Sequence, residues 1–159
     1  ITPNLWFDSN AEEAANFYVS IFPNSKVGKI ARYTEVGPGP AGTVVTVEWE
    51  LDGQPFVGIN GGPHFTFSEA VSMEIRCKDQ AEVDYYWEKL LEGGGRESQC
   101  GWLKDRFGFS WQVTPQRLID LMTDEDPEVV KRVTAAMLKM VKLDVAKLEA
   151  AAAGETVPA

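Results

Sequence analysis

The alternation of hydrophobic and polar residues is clearest in residues 43–51. Val45, Val47, Trp49 and Leu51 share one parity, and Thr46, Glu48 and Glu50 share the other. Alternate residues of a strand point to opposite faces, so this segment is predicted to be a β-strand with one buried and one polar face. Asp52-Gly53 is a hairpin signal, and we expect residues 54–60 to run back as the next strand.

Two segments have helical spacing instead. Apolar residues repeat at helical spacing in 11–22, at Ala14, Phe17, Tyr18, Ile21 and Phe22, and in 81–92, at Val83, Tyr86, Trp87, Leu90 and Leu91. Intervals of three and four residues place each set on one side of a helix. Polar residues that can cap a helix precede both segments, while Pro23 ends the first and Gly93-Gly94-Gly95 ends the second.

The order of strand, helix and further strands occurs twice, with Leu5 aligned to Ile75 and Ala11-Glu12 to Ala81-Glu82. The other predicted strands are 1–7, 26–34, 71–77, 97–103 and 109–114. This internal duplication predicts an α+β fold made of two βαβββ modules. We expect a domain over 1–115, with modules at about 1–62 and 68–115, followed by a helical extension over 116–159.

The extension has its own periodic segments. Residues 116–123 are predicted to be helical, Pro127 opens a longer helix that carries Leu138 and Val141, and a last helix runs through Leu148 to Ala153. We expect the final residues, Gly154 to Ala159, to fray.

Composition excludes several classes of partner. The chain has 159 residues and a formal net charge of -9, which argues against nucleic acids and anionic membrane surfaces because both require a basic face. No apolar run has the length of a membrane span, and the start of the chain carries no charged-then-apolar leader. We therefore expect a cytoplasmic protein that does not bind a membrane, with Cys77 and Cys100 as reduced thiols.

Several motifs carry a resemblance to a known family. They lie at residues 2–8, 11–18, 21–25, 51–56, 60–63 and 99–105. Together they resemble the PhnB-like branch of the vicinal oxygen chelate superfamily, which includes glyoxalase I and bleomycin-resistance proteins. Residues 105–113, with Asp105 and Gly108, are similar to the closing motif of that superfamily. The similarity spans residues 1 to about 115, and the helical extension also fits that branch.

The resemblance implies a specific architecture. The two modules would form a curled, cup-shaped mixed sheet with helices on its outer face and a site inside, and two chains would pair as a homodimer. Some members of the branch carry a legacy label as a ubiquinone-pathway methyltransferase. The sequence has no glycine-rich strand-to-helix turn for a methyl-donor nucleotide, so we discount that activity.

Metal-using relatives place four ligands inside the cup, mostly His and Glu. The corresponding positions here are Thr2 or Pro3, Gly58 or Asn60, Ser72, and Gln112. Neutral hydroxyls and amides bind transition metals poorly, and replacing Ser72 by Glu74 in the alignment would add only one carboxylate. We therefore expect no metal ion and no other cofactor.

The remaining candidates are polar or aromatic residues near the predicted cup. The candidate ligand-binding residues are Asn4, Trp6, Asn60, His64, Glu74, Arg76, Trp102 and Gln112. Each has a structural alternative: Trp6 and Trp102 as core or interface residues, Glu74 and Arg76 as a cross-strand ion pair, and His64 as a solvated loop residue. The strand parity of Trp102 relative to Cys100 is open. Glu48 and Glu74 are candidate general bases if burial changes their protonation, although Glu48 also suits a solvated sheet face.

These observations favour one function over two others. The favoured function is metal-free binding of a small polar or aromatic organic molecule, because aromatic walls with a few amides and charges are typical of such pockets. The first alternative is an enzyme of the same superfamily, of lyase, isomerase or dioxygenase type. The second is a scaffold that only dimerises.

Overall fold

The structure, a computed structural model, describes residues 1–156 and confirms the predicted α+β class with two βαβββ modules and a helical C-terminal part. The first module contains β1 (Asn4–Phe7), α1 (Ala11–Ile21), β2 (Lys26–Arg32), β3 (Val44–Leu51) and β4 (Gln54–Asn60). The second contains β5 (Ser72–Cys77), α2 (Gln80–Leu91), β6 (Arg96–Glu97), β7 (Trp102–Lys104) and β8 (Ser110–Pro115). The extension consists of α3 (Gln116–Met122), α4 (Pro127–Met137) and α5 (Val145–Ala153). The chain forms two compact units, the first over Ile1–Phe67 and the second from Ser68 onward.

The first sheet has the strand order β1-β4-β3-β2, in which β1 and β4 are parallel and the other pairs are antiparallel. The predicted alternation holds in β3, where Val47, Trp49 and Leu51 are buried and Glu48 is exposed. Helix α1 covers the apolar face of this sheet. A side chain at Gly58 would place its Cβ 2.9 Å from the Cβ of Ala11, so the missing side chain allows the helix to approach closely.

The second sheet has the order β5-β8-β7-β6, with β5 and β8 parallel. Helix α2 packs against β5, β7 and β8, and its N-terminus is capped by the side chain of Asp79, which accepts a bond from the backbone of Glu82. The buried residues on this side include Leu103, Trp111 and Val113.

The prediction of one continuous strand over 97–103 is wrong. A tight turn separates β6 from β7, with Cys100 at φ 57° and Gly101 at φ 83°. The backbone N–H groups of these two residues donate to the carbonyls of Met140 and Val141 in the extension, at 2.9 and 2.8 Å. Alternation of side chains does not reveal such long-range backbone bonds, which replace strand pairing here.

Asp105 organises the turn that joins β7 to β8. Its carboxylate is buried and accepts bonds from the backbone N–H groups of Phe107 and Phe109, and from the indole N–H of Trp111 at 2.8 Å. Gly108 completes the turn at φ 84°. The Asp and Gly of the closing motif therefore have a structural role in this chain.

The extension encloses a core of its own, formed by Leu118, Leu121, Val133, Leu143 and Leu148. The second of its helices ends at Met137, earlier than predicted, so Leu138 and Val141 lie outside it with 59% and 43% of their surface exposed. No helix within residues 1–156 is both long and apolar enough to cross a membrane. The last helix ends at Ala153 and is followed by Gly154 with φ 78°. The predicted fraying of Gly154 to Ala159 falls, from residue 157 on, outside the described residues.

Candidate functional site

Two of the candidate residues lie on β1, on the face of the first sheet opposite α1. Asn4 is exposed, and its side-chain amide donates to the carbonyl of Thr2. Trp6 is half-buried: its indole N–H donates to the carbonyl of Gly62 at 2.9 Å, and its ring meets Phe65 edge-on at 5.0 Å. A Cβ at Gly61 would collide with the Trp6 ring. The segment after β4 is therefore fitted to this tryptophan.

Asn60 occupies the other face of the same sheet. It is buried, its Oδ1 accepts the N–H of Ala11 at 2.9 Å, and its Nδ2 donates to the carbonyl of Val44 at 3.1 Å. Both polar atoms of the amide thus tie the end of β4 to α1 and β3. Its backbone carbonyl accepts the hydroxyl of Tyr33 at 2.8 Å.

A cleft of about 580 Å³ lies beside Asn60 in the first unit. His64 is exposed and lines it, as predicted for a loop residue near Asn60. The other side chains at this cleft include Asp8, Glu12, Tyr33, Pro38 and Pro40. Sequence reasoning missed this set because the residues come from four separate segments. The one available signal was the sequence Gly37-Pro38-Gly39-Pro40, a loop of unusual composition.

Glycines hold the Tyr33 ring in place within that loop. A Cβ at Gly37 would lie 2.7 Å from Cδ1 of Tyr33, and one at Gly39 would lie 2.5 Å from its Cε2. Only residues without a side chain allow the loop backbone to pack so closely on the ring. The ring is therefore fixed on its flanks by backbone and at its hydroxyl by Asn60.

The second unit brings four candidates together on the face of its sheet opposite α2, namely Glu74, Arg76, Trp102 and Gln112. Trp102 is the register partner of Gln112 on β8, and Gln112 is the partner of Glu74 on β5. Register partners share a face, so the open question of Trp102 is settled: it lies on the same face as Gln112. We call this the polar face and define it by Ser72, Glu74, Trp102, Ser110 and Gln112.

Hydrogen bonding on the polar face is incomplete. The amide nitrogen of Gln112 donates to the hydroxyl of Ser72 at 2.8 Å. The hydroxyl of Ser110, a residue only 1% exposed, has no hydrogen-bond partner within residues 1–156. A buried polar group without a partner costs about 1–3 kcal/mol. This hydroxyl is enclosed by protein atoms, so the side chains of this face that a bound molecule can reach are those of Glu74, Trp102 and Gln112.

Glu74 and Arg76 form an ion pair along β5 rather than between strands, with Nε of Arg76 3.1 Å from a carboxylate oxygen of Glu74. Both side chains are well exposed, so the pair adds little stability, on the order of 0–1 kcal/mol. Glu74 and Glu48 are both solvent-exposed, and neither has the buried environment that the general-base hypothesis required. Glu48 borders a separate cleft of about 380 Å³ with Lys26 and Glu50.

The positions aligned with metal ligands hold no ligand cluster. Ser72 and Gln112 bond to each other, and Gly58 is packed between Ala11 and Trp49. Within residues 1–156, no group of three or more His, Cys, Asp or Glu side chains is placed to hold a metal ion.

The two cysteines are free and differ in their surroundings. Burial raises the pKa of the Cys77 thiol to about 12, and the nearby carboxylates of Glu82 and Asp79 act in the same direction. Cys100 is half-buried, with its Sγ 3.6 Å from the carbonyl of Met137. Neither lies on the polar face or among the residues that line the 580 Å³ cleft.

Comparison with known proteins adds a family-level result. A family model described as 3-demethylubiquinone-9 3-methyltransferase matches residues 1–114. A structure from Bacillus cereus, described as a putative 3-demethylubiquinone-9 3-methyltransferase, PhnB protein, is 38% identical, covers 72% of this chain and 98% of its own, and superimposes with a TM-score of 0.66. A Pseudomonas aeruginosa protein is 20% identical, covers 72% of this chain and 96% of its own, and has a TM-score of 0.60, a likeness of fold alone. Among curated proteins no match was found.

Proposed function

The chain belongs to the PhnB-like family, whose model is described as 3-demethylubiquinone-9 3-methyltransferase, and we propose a function for it from the site itself. This protein binds a small polar or aromatic organic molecule on the polar face of its second sheet. The wider relationship is to the vicinal oxygen chelate superfamily.

The observation that carries the proposal is the placement of Glu74, Gln112 and Trp102 side by side on one face of β5, β8 and β7. Glu74 and Gln112 supply a carboxylate and an amide to which a polar ligand can bond, and both side chains are at least partly exposed. The indole of Trp102, half-buried and next to Gln112, offers a flat apolar surface to the rest of that molecule. One apolar wall with a few polar groups is the usual composition of a small-molecule site.

The family description does not lead us to a methyltransferase. Nucleotide-type cofactors are commonly held by a glycine-rich turn between a strand and the following helix. The corresponding connections here are Asp8-Ser9-Asn10 between β1 and α1, and Lys78-Asp79 between β5 and α2. Both are polar and contain no glycine, so neither offers the glycine-rich turn on which a methyl-donor nucleoside could approach the backbone closely.

Assembly and location are part of the proposal. We expect a homodimer, since the exposed Leu138 and Val141 of the extension offer apolar surface to a partner. Light scattering at micromolar concentration should give twice the mass of the chain, and a monomeric mass would contradict this. We also expect a cytoplasmic location, because two free cysteines suit a reducing compartment.

The test replaces Gln112 by Leu. Native mass spectrometry of the purified protein, followed by a fragment screen of small aromatic acids, alcohols and amides, supplies the ligand. Gln112→Leu should abolish its binding while the melting temperature changes little, because within residues 1–156 this amide bonds only to Ser72, at a partly exposed position. The matched control is Gln54→Leu, an exposed glutamine whose amide donates to the carbonyl of Pro55. Retained binding together with a large loss of stability would show that Gln112 is structural, and the proposal would fail.

A further inference from the structure

The cleft beside Asn60 in the first unit has a chemistry that the proposed function does not use. We infer that it binds a small organic cation, namely a primary ammonium or amidinium group carried on a flat apolar body. None of its lining residues belongs to the polar face, so the inference stands or falls separately. Its volume of about 580 Å³ lies within the range of small-molecule sites, roughly 300–1,000 Å³.

The charged side chains that line the cleft favour a positively charged ligand. The carboxylates of Asp8 and Glu12 line the cleft together with the imidazole of His64, and no lysine or arginine of the described chain does. Arg32 precedes Tyr33, but its guanidinium donates to the carbonyl of Gly42 and does not line the cleft. The net charge of -9 adds a field that attracts cations to the whole molecule.

One feature of the cleft opposes a cation, and its magnitude is smaller. Helix α1 begins at Ala11, so the positive end of its dipole lies near Asp8 and Glu12. That end is equivalent to about half an elementary charge. The N–H of Ala11 is already bonded to Asn60 Oδ1. Two full negative charges on the carboxylates outweigh the dipole, so the local balance remains negative and disfavours a phosphate or carboxylate ligand.

The walls suit a flat body. Tyr33 is held by the backbone of Gly37 and Gly39 and by its bond to the Asn60 carbonyl, so its ring is ordered before a ligand arrives. A cation over a tyrosine ring is attracted by about 0.5–2 kcal/mol, depending on how far it is desolvated. Pro38 and Pro40 add rigid apolar surface. Preorganised walls reduce the entropy that binding would otherwise cost.

Three probes of similar size and shape but different charge separate the two contributions: benzylamine, benzyl alcohol and benzoate. The full chain is labelled with ¹⁵N, and each probe is titrated while amide and indole N–H resonances are followed by NMR. The Trp6 indole reports on the cleft because it donates to the carbonyl of Gly62, which lines it. Benzylamine should shift the Gly61, Gly62 and Trp6 indole resonances saturably. Benzyl alcohol and benzoate should bind at least about fivefold more weakly, since they lack the attraction to the carboxylates.

Matched variants locate the charge. Glu12→Gln should weaken benzylamine binding by roughly 1.5-fold to fivefold, as expected for a partly exposed ion pair, and Asp8→Asn should act in the same direction. Glu35→Gln removes the same charge from an exposed residue that does not line the cleft, and it should leave binding unchanged. Gln112→Leu should also leave it unchanged.

The inference is overturned if benzyl alcohol or benzoate binds as tightly as benzylamine, or if the cleft resonances do not move. Equal effects of Glu12→Gln and Glu35→Gln would also overturn it, since binding would then follow net charge rather than this cleft. A loss of benzylamine binding in Gln112→Leu would contradict it as well, because the probe would then occupy the polar face.

Discussion

The hydroxyl of Tyr33 donates a 2.8 Å hydrogen bond to the backbone carbonyl of Asn60, 27 residues away along the chain. The side-chain amide of Asn60 in turn fixes the N-terminus of α1 and the start of β3. The ring that forms one wall of the cleft is thus connected through a single residue to three elements of the first module. These bonds couple the position of the Tyr33 ring to the stability of the first module.

Replacing Tyr33 by Phe tests that coupling. The ring and its packing on Gly37 and Gly39 remain, while the bond to the Asn60 carbonyl is lost. We expect a loss of about 0.5–1.5 kcal/mol in the free energy of unfolding, the usual net value of one hydrogen bond. Urea denaturation measures it. A loss below the error of the measurement would show that the carbonyl is satisfied equally well by solvent, and that the hydroxyl does not fix the ring.

The sequence predicted the regular helices and strands, but it did not predict the sites that irregular segments form. Helices α1 and α2 and strand β3 follow the periods of helix and strand, because each packs one continuous face against a core. The parity of Trp102 was not readable, since it depends on the turn at Cys100 and Gly101, whose N–H groups bond to a segment about 40 residues further on. The sequence placed the polar residue Asn60 at the end of a strand. Its burial against α1 could not be predicted, because it depends on a hydrogen bond to Ala11, 49 residues away.

The closing turn offers a strong test of the second module. Asp105→Ala would leave the indole N–H of Trp111 and the N–H groups of Phe107 and Phe109 without their acceptor in a buried place. The expected destabilisation is at least about 3 kcal/mol, because several bonds to a charged group are lost at once. Thermal and urea unfolding measure it. Asp120→Ala, on an exposed position of α3, is the control and should cost less than about 1 kcal/mol.

Gly61 and Trp6 form a pair in which each limits the size of the other. A methyl group at Gly61 would collide with the indole ring, so Gly61→Ala should destabilise the first unit and shift the Trp6 indole N–H resonance. Trp6→Leu removes the indole and makes room for a methyl group at residue 61, but it also removes the edge-on contact with the Phe65 ring. The double variant should therefore be more stable than the sum of the single changes predicts, by an interaction of about 0.5–3 kcal/mol. Additive effects would mean that the loop moves away from the ring without strain.

The last prediction concerns the thiol of Cys77. Burial raises its pKa from 9.0 in the unfolded chain to about 12 in the folded one, so the folded state holds the proton more tightly. Folding is therefore favoured by this group at all pH values below about 9, and that contribution is lost as the pH rises from about 9 through about 12.

Two measurements follow from this shift. Stability against urea should fall over that alkaline range, and Cys77→Ser or Cys77→Ala should reduce the slope. At pH 8 the thiol of the half-buried Cys100 in the native protein should react quickly with a disulfide reagent. The thiol of Cys77 should react only slowly, because the thiolate is the reacting species. In denaturing urea both should react at the same rate. Fast reaction of two equivalents in the native protein would show that Cys77 is neither buried nor held protonated, and that β5 is not packed against α2 as described.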